Sequence, residues 1–152
     1  MPQGSRIASA VKDFCIPVRV YYEDTDSAGV VYYANYLKFM ERARTEWFRS
    51  LGFEQDLLRR EDRIVFAVRS VAVEYLRPAH FNDLLEVSAT LTEHGPMSCT
   101  FEQVVRRAGA EPETVSPETV SKGVVRIACL DAITLRPQRI PQRIVEEMAS
   151  DR

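Results

Sequence analysis

The sequence is short of the residues from which metal centres and disulfide frameworks are made. It has two histidines and three cysteines, Cys15, Cys99 and Cys129, widely spaced and with no Cys-x-x-Cys pair. An odd cysteine count excludes a framework that uses all of them, and a zinc finger or His-rich metal enzyme lacks its ligands. A reducing compartment suits three cysteines so scattered. No run approaches the roughly 18 apolar residues of a membrane span, and the first 14 residues lack the apolar stretch of a signal peptide. A cytoplasmic location is therefore expected. Neither sign of charge dominates: 20 Lys+Arg face 22 Asp+Glu, a net charge of -2. Without a basic footprint no nucleic-acid partner is expected. Gly-x-Gly-x-x-Gly and P-loop patterns are absent, which removes support for dinucleotide or P-loop chemistry.

What is present suits one globular domain: 152 residues, 45% hydrophobic and 28% charged. Residues 1–14 read as a flexible N-terminal tail. Ile16 to Tyr22 alternates with period 2, which predicts a strand. After an acidic turn, Tyr36, Met40, Ala43, Trp47 and Leu51 step by four or three, predicting a helix over about Tyr33–Leu51 that ends at Gly52. Phe39 and Phe48 widen its apolar surface, while Lys38, Glu41, Arg42, Arg44, Thr45 and Arg49 are assigned to its other faces. Four strand-like runs follow: Ile64 to Tyr75, Leu84 to Thr92, Ser98 to Arg106 and Val120 to Leu130. Turn residues between them suggest an antiparallel meander. Ala108 to Gly123, with its repeated Glu-Thr-Val-Ser, reads as a long hairpin loop of surface character. From Pro141, Ile144, Val145 and Met148 mark a short helix in a 141–152 tail. One amphipathic helix and a run of antiparallel strands make an α+β domain over about 15–140.

His80 and His94 both fall at predicted turns, away from any nucleophile-elbow pattern. The remaining chemistry lies in Glu23-Asp24-Thr25-Asp26-Ser27-Ala28-Gly29, three carboxylates on a loop leading into the helix. A helix N-terminus offers unpaired N–H groups and partial positive charge, which stabilise a carboxylate or a developing oxyanion. The same pattern also describes an acidic turn whose Asp caps the helix, and spacing alone does not say which carboxylate would face a pocket.

Tyr21 to Tyr32 (Tyr-Tyr-Glu-Asp-Thr-Asp-Ser-Ala-Gly-Val-Val-Tyr), Ala34-Asn35-Tyr36-Leu37 and Glu41 to Trp47 resemble the signature of the Tol-Pal-associated acyl-CoA thioesterases. These are hotdog-fold proteins of the 4-hydroxybenzoyl-CoA thioesterase type. Tyr75-Leu76-Arg77-Pro78-Ala79 and Asp83 to Val87 resemble a second block, and the likeness runs from about Ile16 to Leu135. It implies a long central helix wrapped by a curved antiparallel sheet of five or more strands. It also implies hydrolysis of an acyl-CoA or related acyl thioester without metal or redox cofactor. By the resemblance, Asp26 is the catalytic carboxylate, as nucleophile or general base. The backbone N–H seven residues on, at Tyr33, is the oxyanion donor. Many members have histidine where this chain has Tyr33; a backbone N–H survives that change, so the departure bears on rate and substrate preference. A homo-oligomer, dimer or dimer of dimers, is implied, with the acyl group at an interface against the neighbour's Ile64 to Ser70. Peripheral association with an inner membrane or acyl-carrier partners is compatible with it.

Three other readings compete. A hotdog dehydratase or hydratase would need a catalytic histidine, for which His80 and His94 are poorly placed. A non-catalytic acyl-CoA binder would share everything except turnover. An interaction module would use the Ala108–Gly123 loop or the Arg42, Arg44 and Arg49 side of the helix, although those arginines suit a solvated face paired with Glu41 and Glu46.

Overall fold

The computed structural model describes residues 14–108 and 118–151. The proposed tail therefore lies outside the described residues except for Phe14, which opens the first strand. Residues 109–117 of the expected loop lie outside them too.

Five strands form one antiparallel sheet: β1 Phe14–Arg19, β2 Ile64–Tyr75, β3 Leu84–His94, β4 Ser98–Arg107 and β5 Glu118–Asp131, in the order β1-β3-β4-β5-β2. The simple meander expected for β2 to β5 is corrected by this order. β3, β4 and β5 follow one another, but β2 pairs with β5 and β1 takes the place beside β3. The physical reason lies in the link 76–83, which is too long for a tight hairpin and crosses the end of the central helix. Its Ala79 carbonyl accepts the Val31 N–H at 2.8 Å. Glu118 and Thr119, expected in the loop alone, are also corrected to strand, and Val120 to Gly123, shared between the expected loop and the expected strand, is strand. Glu118 and Thr119 pair with Arg107 and Arg106, and Glu118 forms ion pairs with Arg77 and Arg107. Register shifts at Val68/Ser70, Leu91/Glu93 and Val105/Arg106 bend the strands, so the sheet curls.

The central helix runs Asn35–Ser50 in the concave face. Tyr36, Phe39, Met40, Ala43, Trp47 and Phe48 are buried, the wide stripe that the sequence suggests. Its end is a Schellman motif: Gly52 at φ 98° sends its N–H to Arg49 O, and Phe53 N–H reaches Phe48 O. Trp47 and Phe48 pack on Phe101 of β4, and Phe48 stacks on Phe66 of β2 at 4.9 Å. At Gly123 the sheet comes so close that a Cβ would lie 3.0 Å from Met40 Sδ, the usual reason for glycine inside a strand.

Arg44 corrects the expected solvated basic face. It continues the Met40–Phe48 row and is buried, its Nη1 donating to Gln103 Oε1 at 2.9 Å. Gln103 is itself fully buried and donates from Nε2 to the carbonyls of Met40 and Ser88. The Ser88 hydroxyl accepts the Val104 N–H. These side chains satisfy backbone groups where the β3–β4 register has a gap between Val87↔Val105 and Thr90↔Glu102. Arg49 behaves as the sequence suggests, pairing with Glu46 and with Glu54.

A C-terminal helix, Gln142–Asp151, buries Ile144 and Met148. Arg143 anchors it to Asp62 through two bonds of 2.6 and 2.7 Å. Among the described residues no helix is long and apolar enough to cross a membrane.

Candidate active site

The acidic stretch between β1 and the central helix folds into two linked turns. In the first, the 3-10 turn Tyr22–Asp24, the Asp24 carboxylate accepts the Tyr21 N–H at 2.9 Å. The second is a tight hairpin: Asp26 N–H donates to Val30 O, and Gly29 N–H to Asp26 O, both at 2.9 Å. Gly29 sits at φ 81°, which glycine adopts without a Cβ penalty. Asp26 Oδ1 accepts the Ala28 N–H at 2.9 Å, an Asx turn that orients the carboxylate. The residue is exposed, and its second carboxylate oxygen makes no hydrogen bond among the described residues.

Five contacts fasten this hairpin, the start of the helix and the link after β2 together. Thr25 bridges Val31 and Val30 bridges His80. The Asp24 carbonyl accepts both the Tyr32 N–H and Asn35 Nδ2, each at 2.9 Å. The Tyr36 hydroxyl accepts the Ala79 N–H at 3.1 Å. Sequence reasoning missed Asn35, Tyr36 and Ala79 as parts of this frame. Only the proximity of Asn35 to the motif hinted at the first, and the other two depend on a link distant in sequence. His80 was expected at a turn and poorly placed for catalysis. Its backbone lies against the hairpin, while its exposed side chain is 3.9 Å from Asp83.

Tyr33 was expected in the first helical turn, but the helix begins at Asn35, so Tyr33 precedes it by two residues. The chain enters through tight turns in which Asn35 N–H donates to Tyr32 O and Tyr36 N–H to Tyr33 O, and these precede the regular helical ladder. Among the described residues the Tyr33 N–H donates to no carbonyl, as expected of groups at a helix entrance. The Tyr33 ring is exposed and sits between Tyr32 at 4.8 Å and Tyr75 of β2 at 6.0 Å. Tyr32 bonds to Tyr33, and that bond raises its phenol above the ordinary value. Burial does the same for Tyr36 and Tyr75. These phenols hold their protons at neutral pH.

Glu41, the next carboxylate along the helix, is exposed and accepts the Thr45 hydroxyl at 2.7 Å within its own helix. The structure thus brings Asp26 and the Tyr33 segment into one tied unit and leaves Glu41 outside it.

A long helix enclosed by a curved antiparallel sheet, with an acidic hairpin at its N-terminus, defines a hotdog-fold protein. Among solved structures, 4-hydroxybenzoyl CoA thioesterase complexed with 4-hydroxybenzoyl CoA matches with a TM-score of 0.81 at 20% identity, covering 90% of this chain and 99% of that one. A probable thioesterase from Bartonella henselae matches with a TM-score of 0.75 at 30% identity, over 85% and 99% of the two chains. The acyl-CoA thioesterase YbgC of Haemophilus influenzae is 40% identical over 131 residues, 86% of this chain and 90% of that protein. A profile of the Thioesterase superfamily matches residues 28–113. The chain belongs to the thioesterase superfamily.

Proposed function

We propose that the protein hydrolyses an acyl-CoA, or a related acyl thioester, to the free acid and the thiol. The observation that carries this reading is the tied unit itself: among the described residues, a carboxylate with one oxygen tethered and one unengaged, joined to a helix entrance with an unpaired backbone N–H. Family membership and the YbgC relatives support the reaction class.

In this scheme the thioester carbonyl oxygen accepts the Tyr33 N–H, and the helix N-terminus favours the negative charge that develops there. As general base, Asp26 takes a proton from water while the water oxygen bonds to the carbonyl carbon. The tetrahedral oxyanion then collapses, the C–S bond breaks, and the thiolate leaves and is protonated. As nucleophile, a carboxylate oxygen of Asp26 bonds to the carbonyl carbon and expels the thiolate, and water hydrolyses the mixed anhydride. A single turnover in ¹⁸O-water separates the two routes, since only the anhydride route can leave label in Asp26. Neither route requires a metal or redox cofactor, and both suit a cytoplasmic enzyme.

The working unit in this reading is a dimer or dimer of dimers. β2 is a twelve-residue edge strand whose Val68 and Val71 are exposed. Such an edge is a template for pairing, and a two-fold operation pairs it with itself in the antiparallel sense. That brings the neighbour's β2 beside the Tyr33–Tyr75 contact, where the acyl group would lie.

The test is release of free thiol from short-chain, long-chain and aromatic acyl-CoAs by the wild type and Asp26→Asn. Turnover that is lost in the folded variant supports the proposal. Binding without turnover in the wild type supports a non-catalytic binder instead.

A further inference from the structure

The link 76–83 that buttresses the Asp26 hairpin is itself held by charge. Arg107, the last residue of β4, donates from Nη2 to Pro78 O at 2.6 Å and from Nε to Asp83 Oδ2 at 3.1 Å. Its Nη1 pairs with Glu118, the first residue of β5, and Glu118 also pairs with Arg77 Nε at 2.9 Å. We propose that Arg107 is a positioning residue for the reaction: its guanidinium fixes the link, and the link fixes the place of Asp26 and the Tyr33 N–H. This inference rests on the acyl-thioester reading of the Asp26 site.

The sheet dictates where this guanidinium stands. Arg107 is opposite Leu85 on β3 and opposite Glu118 on β5. The Ala108 N–H closes the β3 side on Leu84 O at 2.8 Å. The end of β4 therefore lies beside Asp83, the last residue of the link, and an opposite-charge pair crosses from β4 to β5. The Asp83 oxygen that meets Arg107 also accepts the His80 N–H at 2.9 Å. One side chain thus binds the link before Ala79, at Pro78, and after it, through the carboxylate that holds His80.

Ala79 and His80 are the two residues that meet the hairpin and the helix. Ala79 O accepts the Val31 N–H, its own N–H donates to the Tyr36 hydroxyl, and His80 bridges Val30. Val30 O in turn accepts the Asp26 N–H at 2.9 Å. A displaced link would carry Val30 and Val31 with it, and with them the carboxylate and the helix entrance. Burial is the largest influence on the Tyr36 phenol and raises it. Arg107, which lowers it, and Asp83, which raises it, are near enough to act as well.

The chemistry of the cluster suits a clamp. Asp83 and Glu118 face Arg107 and Arg77, so the four charges balance and leave no excess to draw in an ion. A guanidinium has donors spread over a rigid plane and serves a carbonyl and two carboxylates at once, whereas an ammonium is a single point of charge. The Arg107 and Asp83 side chains are only 27% and 24% exposed, and partly buried pairs are screened less than open ones.

The experiment reads thiol release from an acyl-CoA and amide hydrogen exchange on the same proteins. In Arg107→Gln, kcat falls about tenfold to a hundredfold while KM stays within about threefold of the wild type. The Val31 and Ala79 amides exchange about tenfold faster or more, and strand amides near Phe101 and Val125 keep their rates. Arg107→Lys, which keeps the charge, recovers part of kcat. Arg143→Gln breaks the ion pair to Asp62 far from the hairpin and leaves kcat within about twofold, which separates positioning from the loss of any ion pair. A folded Arg107→Gln protein with kcat within about twofold of the wild type, a loss confined to KM, or an equal loss in Arg143→Gln overturns the proposal. Should Arg107→Gln fail to fold, Asp83→Asn carries the same comparison, and unchanged kcat and unchanged exchange there overturn it. If the wild type hydrolyses no acyl thioester, the thioesterase reading fails separately. Exchange at Val31 and Ala79 still decides whether Arg107 fixes the link, and unchanged rates overturn it.

Discussion

The hydroxyl of Tyr36, on the first turn of the central helix, accepts the N–H of Ala79, on the link after β2, at 3.1 Å. Ala79 is fully buried and its carbonyl in turn takes the Val31 N–H, so one short segment holds both the helix and the acidic hairpin. Tyr36→Phe leaves a buried N–H without a partner and is expected to cost about 1–3 kcal/mol. Urea unfolding of the two proteins measures the loss. A further fall in kcat is expected, because the hairpin loses part of its anchorage to the helix.

Asp26→Asn keeps the shape of the side chain and its bond from Ala28, and removes the charge that a base or nucleophile needs. The expected loss of kcat is ~10²–10⁴-fold, equivalent to roughly 3–5 kcal/mol of barrier. Asp24→Asn costs far less, since the helix is held by the Asp24 backbone carbonyl and only the Tyr21 cap involves its side chain. Tyr33→Phe is mild if the backbone N–H is the oxyanion donor. Thiol-release rates of the three variants, with melting curves to verify folding, provide the comparison. A folded Asp26→Asn protein of near-normal rate would move the carboxylate role to another residue, with Glu41 next in line.

The buried Gln103 and Arg44 respond unequally to replacement. Gln103→Leu leaves the Ser88 carbonyl, the Met40 carbonyl contact and a buried guanidinium without their partner. A loss of about 2–4 kcal/mol is expected. Arg44→Met removes the charge that burial disfavours and leaves one amide oxygen unpaired, for about 1 kcal/mol. Denaturant midpoints of the two variants check the order.

Burial pushes the Cys99 thiol up to about 12 and the Cys129 thiol up to about 11, from an ordinary value near 9. In the native protein an aromatic disulfide reagent at pH 8 is expected to modify the exposed Cys15 and to reach the other two only on unfolding. The folded state holds these protons to higher pH than the unfolded chain. Their contribution to stability is therefore complete below about pH 9 and is lost as pH rises toward 11 and 12. Melting temperatures of wild type and Cys99→Ala from pH 7 to 11 test this, the variant showing the shallower alkaline decline.

The extent of β2, the wide helix stripe and the Gly52 stop were legible in the sequence, because each depends on periodicity or a local backbone rule carried by adjacent residues. A turn in the acidic stretch was legible too, since turn formers act locally, but not the Asx hairpin that Asp26 makes in place of a helix cap. Arg44 was not: nothing in its neighbours announces that a charged residue on the apolar row will meet a buried glutamine 59 positions away.

Local patterning thus determined the elements and the acidic turn by itself, since hydrophobic period and turn chemistry act over a few residues. Only the tertiary structure decided that β2 leaves β3 to pair with β5, and that the link between them crosses the helix entrance. That choice depends on burying one helix within one curved sheet. Contacts such as Tyr36 with Ala79 and Val30 with His80 join residues 43 and 50 positions apart, a separation that no local rule encodes.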